Sequence, residues 1–237
     1  MEKRIPTGLI NFDDKIEGGF VEGSINLIIG KTGTGKTTFC CSFMYRGAKN
    51  NEPVVYLTTE ERVEDIKKDI KSMFNWGIDT LEEKGLINFL SLKPIVPSTN
   101  MEDANRLAKS YISELLRKIT DSLEKTGAKR LVIDSVSIIQ LFINDKYLSR
   151  IILSSLMDKL REMGITTVIS GTITGGVVSG AELIESTVDS VIKLDFVPVA
   201  EDYKRTITVT KMRRTRHSTL IYPFEITPEG MKVIDLD

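Results

Sequence analysis

Apolar positions along the chain fall into two alternating patterns, short unbroken runs and longer stretches in which they recur every three or four residues. Ile25 to Ile29, Pro53 to Thr59, Ile87 to Leu92, Leu131 to Ile133 and Ile165 to Ile169 are runs of strand length, apolar enough to be covered on both faces. Between them, Val63 to Phe74, Met101 to Glu124 and Tyr147 to Arg161 show helical spacing. Leu107, Tyr111, Leu115, Ile119 and Leu123 mark the buried face of the second helix, and Leu148, Ile151, Ile152, Leu156 and Leu160 that of the third. Such alternation predicts an α/β fold, a mostly parallel sheet with helices on both faces. Beyond Val188 the pattern changes. Val188 to Phe196, Arg205 to Met212, Ser218 to Ile226 and Met231 to Leu236 alternate or run apolar between Pro and Gly turns, predicting a C-terminal antiparallel β extension of the same sheet.

The 237 residues, 41% hydrophobic and 27% charged, suit one large α/β domain with a full core, so residues 1–237 are read as a single domain. A net charge of −1 gives no global attraction to nucleic acid or to an anionic membrane. No apolar run reaches the roughly 20 residues of a membrane span, and the start at Met1 to Pro6 lacks the apolar core of a signal peptide; the expected location is cytoplasmic. Cys40 and Cys41, adjacent on an expected helix, read as buried or half-buried thiols and not as a disulfide framework.

Candidate chemistry begins where the first strand ends. Gly30, Lys31, Thr32, Gly33, Thr34, Gly35, Lys36, Thr37 and Thr38 join that strand to a helix-compatible segment, the setting of a phosphate-binding loop. Glycines at 30, 33 and 35 let the backbone curl until its N–H groups point at a β-phosphate. Lys36 adds charge beside the β- and γ-phosphates, Thr37 offers a hydroxyl to Mg²⁺, and the helix directs its positive end to the same place.

Asp134 ends the run Arg130 to Asp134 and is the expected holder of Mg²⁺ or its water, at the tip of a strand beside the loop strand. Glu60 and Glu61 end the strand from Val54 to Thr59, which is expected to intervene between the loop strand and the Asp134 strand. One of the two carboxylates polarises the attacking water; Glu60 is the first candidate and Glu61 the second. Six basic residues between Lys204 and Arg216 form a further cluster. It reads as a phosphate-binding strip, as a solvated face, or as a pair, Lys211 and Arg213, reaching the γ-phosphate of a neighbouring subunit from one face of a strand. His217 is the only histidine.

Together these residues resemble a single-domain KaiC-type ATPase of the RecA/RadA superfamily, over nearly the whole chain. The opening Pro6 to Phe20 is similar to the segment that precedes the loop in that superfamily, and Gly30 to Thr38, Thr58 to Glu61 and Ile133 to Val136 match its nucleotide motifs. Lys211 to His217 followed by Tyr222 to Thr227 is similar to the KaiC pattern and not to recombinases. The resemblance implies a RecA-like core and a homo-oligomeric, hexameric ring with ATP and Mg²⁺ at subunit interfaces. One chain would supply Lys36, Thr37, Glu60 and Asp134, and the next Lys211, Arg213 and His217. It implies ATP hydrolysis serving as a switch toward an unknown protein partner. Two departures stand out. The clock protein has two tandem copies of this domain, and where its autokinase copy has adjacent Ser and Thr acceptors this chain has Glu185 and Ser186, so autokinase activity is not expected. The alternatives are a RadA-like ATPase that binds single-stranded DNA, and a structural ring with negligible turnover. DNA binding is not favoured, because Thr172 to Gly180, one of two stretches expected to face it with Leu141 to Tyr147, has no Lys, Arg or aromatic residue.

Overall fold

The computed structural model describes residues 2–93, 101–136, 146–173, 184–199 and 202–236. A short ribbon of β1 (Arg4–Ile5) and β2 (Phe20–Val21) precedes β3 (Ile25–Gly30), α1 (Lys36–Lys49), β4 (Val54–Thr58), α2 (Val63–Met73), α3 (Ile78–Glu83) and β5 (Ile87–Ser91). Then come α4 (Met101–Thr126), β6 (Arg130–Asp134), α5 (Lys146–Glu162), β7 (Thr166–Thr172), β8 (Ser190–Val199), β9 (Asp202–Met212), β10 (Tyr222–Thr227) and β11 (Gly230–Val233). Nine strands make one sheet in the order β11-β10-β9-β8-β3-β7-β6-β4-β5. From β8 to β5 neighbouring strands run parallel, and β8 to β11 are joined by antiparallel pairs.

The unbroken apolar runs have a direct explanation in this sheet, because alternate residues of one strand enter different cores. Ile28, Val54, Tyr56, Val132 and Val168 pack with α1, α2 and the N-terminal segment. Leu27, Ile29, Val55, Leu57, Leu131, Ile133 and Ile169 pack with α4 and α5. Both faces of each central strand are thus covered, as parallel sheets require. Cys40 and Cys41 are both buried in the first of these cores.

Four expectations need correction. The Asp134 strand is not beside the loop strand, because β7 lies between β3 and β6. Nor does β4 intervene between them; it flanks β6 on the far side. The strand after Val188 pairs in parallel with β3, so the antiparallel extension begins one strand later, at β9. Ile151, placed by its spacing on the buried face of α5, is 47% exposed. The ribbon β1–β2 and the helix α3 are too short for a periodic signal and were not expected. Most of 141–147 and of 172–180, the stretches expected to face DNA, lies outside the described residues.

Candidate nucleotide site

The loop Gly30 to Lys36 sits at the C-terminal ends of the parallel strands, where the helices on both faces leave a crevice. Two of its glycines are dictated by geometry. A Cβ on Gly30 would stand 2.5 Å from the carbonyl oxygen of Leu194 and 2.6 Å from Thr34 Oγ1. Gly35, the N-cap of α1, has φ of 103°, a conformation side chains resist. Thr34 is buried, and its hydroxyl donates to Lys31 O at 2.7 Å, which pins the turn. Lys36 Nζ donates to Gly30 O and Lys31 O, both at 2.9 Å, so the ammonium spans the mouth of the loop. Burial lowers its pKa, opposed by Asp134 and then Glu60. Both carboxylates therefore attract the charge that a phosphate would share.

The cavity above the loop holds about 330 Å³. Thr32, Gly33, Gly35, Lys36, Thr37 and Thr38 line it from the loop side, and Glu60, Glu61, Asp134 and Ser135 from the strand ends. The sequence elements expected to meet do meet. Ser135 Oγ donates to Glu60 Oε1, holding that carboxylate at the cavity. Thr59 Oγ1 accepts from Ser135 N at 3.1 Å and donates to Ser135 O at 2.7 Å, tying the end of β4 to the end of β6. The peptide joining Asp134 to Ser135 is cis. The pKa of Glu61 is raised, by burial first and by the charge of Asp134 second. Asp134 itself is held twice, by Ser170 Oγ on Oδ1 and by Tyr56 OH on Oδ2 at 2.8 Å.

A hydroxyl from Thr37, one carboxylate from Asp134 and a neighbouring Glu60 form an oxygen donor set suited to Mg²⁺, which keeps several waters and shares phosphate oxygens. Several contributors escaped sequence reasoning: Met73 and Ile226 supply an apolar wall, Thr172 another edge, and Tyr56 and Ser170 the contacts to Asp134. Only Ser170 and Thr172 had a signal, lying two apart at the end of an apolar run and hence on one face.

Lys211, Arg213 and His217 are elsewhere. Gly30 is level with Leu194, Asn26 with Ser190, and Ser190 with Met212. The basic strip therefore lies at the opposite end of the sheet, about 13 Å back along the strand direction at 3.3 Å per residue. Lys211 Nζ donates to Glu185 O at 2.8 Å, Ser186 O at 3.3 Å and Val188 O at 2.7 Å. Arg213 is half exposed, bonded to Ser186 O at 3.3 Å and 3.9 Å from Asp189. His217 Nδ1 is 3.0 Å from Ser218 O. The loop that follows β9, with Arg213 and His217, is gripped by the N-terminal segment. Arg4 donates to Thr215 Oγ1 at 2.7 Å and to Arg214 O at 3.1 Å, and Ser218 N donates to Lys15 O at 2.9 Å.

The family model described as "ATPase: KaiC" matches residues 5–237. The chain belongs to the KaiC ATPase family. Among solved structures it is similar to a KaiC-like protein from the archaeon Pyrococcus horikoshii, with a TM-score of 0.85 and 36% identity, covering 99% of this chain and 100% of that one. A UPF0273 protein of Thermotoga maritima is 33% identical over 98% of this chain and 96% of its own length. The circadian clock protein KaiC2 of Synechocystis is 32% identical over 98% of this chain, which spans only 40% of that longer protein. The fold is that of a KaiC-like, RecA-type domain with added antiparallel strands. Among the described residues, no helix is long and apolar enough to cross a membrane.

Proposed function

We propose that this KaiC-family chain binds ATP with Mg²⁺ at the Gly30 to Thr38 loop and hydrolyses it in a cytoplasmic homo-oligomeric ring, a hexamer, whose turnover acts as a switch toward a protein partner. The observation that carries the shared-site reading is the position of the basic strip. Arg213 and Lys211 stand at the end of the sheet away from their own loop, so neither serves the cavity of its own chain. In a head-to-tail ring the same residues reach the next chain's cavity. Arg213 is the readier of the two, being half exposed, whereas Lys211 must leave three carbonyls.

In this reading the loop N–H groups and Lys36 bind the phosphates, and Glu60, steadied by Ser135, orients and polarises the water that attacks the γ-phosphorus. Thr37 and Asp134 would hold Mg²⁺, which would supply positive charge to the phosphates. Arg213 of the neighbour stabilises the charge of the transition state, a contribution worth about 10³ to 10⁵ in turnover where such residues act in trans.

The test mixes two inactive variants. Lys36→Ala spoils the loop and leaves the basic strip intact; Arg213→Ala does the reverse. Mixed rings contain some interfaces built from the two intact halves, so the mixture should hydrolyse ATP faster than either variant alone. No recovery at any ratio, with mixed assemblies demonstrated by differently tagged subunits, removes the shared-site reading.

A further inference from the structure

Asp134 is the one carboxylate in the cavity with a hydroxyl on each of its oxygens, among the described residues. Ser170 comes from β7, on one side of β6. Tyr56 comes from β4, on the other. In the register of β4 with β6, Thr58 is level with Asp134 and Tyr56 with Val132. Alternation puts Tyr56, Val132 and Asp134 on the α1 side of the sheet, where the phenol extends one residue pair toward the strand ends. Its ring is wholly buried and lies 5.5 Å from that of Phe89. Cys41 Sγ is 3.9 Å from the same phenol oxygen and donates to it.

The phenol donates its proton to Asp134 Oδ2, its one oxygen acceptor among the described residues. A carboxylate oxygen carries two lone pairs. One donor on each oxygen fixes the plane of the carboxylate and leaves the other lone pairs for a metal ion or its waters. No loop residue performs this task, and nothing in the phosphate-binding motif calls for a tyrosine at this place.

We propose that Tyr56 is a positioning residue for the metal-holding carboxylate: its hydroxyl sets the direction of Asp134 Oδ2, and so tunes how tightly the nucleotide site takes a divalent cation. The inference rests on the assignment of Asp134 to the metal made above. Outer-shell partners of metal ligands change affinity or activity by about 10- to 100-fold when removed.

Tyr56→Phe removes one oxygen atom and keeps the ring in its packing. Binding of a fluorescent ATP analogue is titrated with Mg²⁺ and repeated with a chelator, and Mn²⁺ binding is followed by electron paramagnetic resonance. The expected result is a rise of about tenfold in the Mg²⁺ concentration for half-saturation and a matching loss of bound Mn²⁺, with metal-free nucleotide binding unchanged. A Mg²⁺ curve that overlays the parent protein's overturns the inference. So does a parallel loss of metal-free binding, which would give Tyr56 a packing role only. Asp134→Asn in the same titration separates the two levels. If that variant keeps the parent's metal dependence, the assignment of Asp134 fails and the inference falls with it; if it loses metal dependence while Tyr56→Phe does not, only the inference fails.

Discussion

Glu60 and Glu61 are neighbours in sequence and both reach the cavity, yet their surroundings divide the work between them. Ser135 donates to Glu60, which fixes the direction of its carboxylate at the cavity. Glu61 has no such donor on its carboxylate among the described hydrogen bonds, and its pKa is raised by burial and by Asp134. Glu60→Gln should therefore keep ATP binding and lose about 10² to 10⁴ in turnover, read by steady-state hydrolysis beside a binding titration. Normal turnover in that variant would move the water-polarising role to Glu61. For Glu61 the expected signal is pH-dependent stability. A carboxyl whose folded pKa is raised contributes stability that is present in acid and lost as pH rises through that folded value. Glu61→Gln should accordingly raise Tm relative to the parent protein at pH 8, and the gain should shrink toward pH 4. An equal difference at both pH values would mean that Glu61 is unperturbed by its neighbours.

At the scale of elements, the N-terminal segment, α1 and β6 are joined by a single buried cation. Arg130 opens β6 with its side chain 2% exposed, donates to Glu52 at 2.6 Å and to Pro6 O at 2.9 Å, and lies 4.8 Å from the Phe43 ring of α1. Its second terminal nitrogen is buried without a partner among the described residues, so the guanidinium depends heavily on Glu52. Because Glu52 is partly exposed, Glu52→Gln should cost about 2 kcal/mol, below the 3–5 kcal/mol typical of breaking a fully buried pair. In a chain of this size that corresponds to a fall in Tm of roughly 4–8 °C, measured by calorimetry, with ATP binding unchanged. A fall under one degree would show that Pro6 O and the Phe43 ring suffice. The same elements show how far the sequence could be read. The helices and central strands were legible because their apolar periods are long or unbroken, and the loop, Glu60 and Asp134 because the chemistry demands those residue types at strand ends. The order of β7, β6 and β4 was not, since apolar runs look alike wherever they sit in a parallel sheet. Tyr56 and Ser170 were hidden for a related reason: a hydroxyl inside a run reads as core until the strands are aligned, and Tyr56 was counted only as part of a buried strand.

For the whole molecule, the two ends of the sheet are unlike. One presents Glu60, Glu61 and Asp134 around the cavity; the other presents exposed Arg213, Arg214 and Arg216. Surfaces that complement each other and not themselves favour head-to-tail contacts, which close into rings, over a twofold dimer. In the proposed ring, ATP would add phosphate charge to the carboxylate end and so give the neighbour's basic strip a partner. Light scattering at low salt with ATP and Mg²⁺ should therefore report a species several times the 26.5 kDa subunit, at the mass of a hexamer if the ring is as proposed. Without nucleotide the assembly should weaken, and raising the salt toward 1 M, where the screening length falls to about 3 Å, should shift it toward monomer. Arg213→Ala should shift it the same way at lower salt. A monomer under every condition would leave the cavity without its second half and end the shared-site mechanism. A discrete dimer that grows no further would point instead to a self-complementary surface.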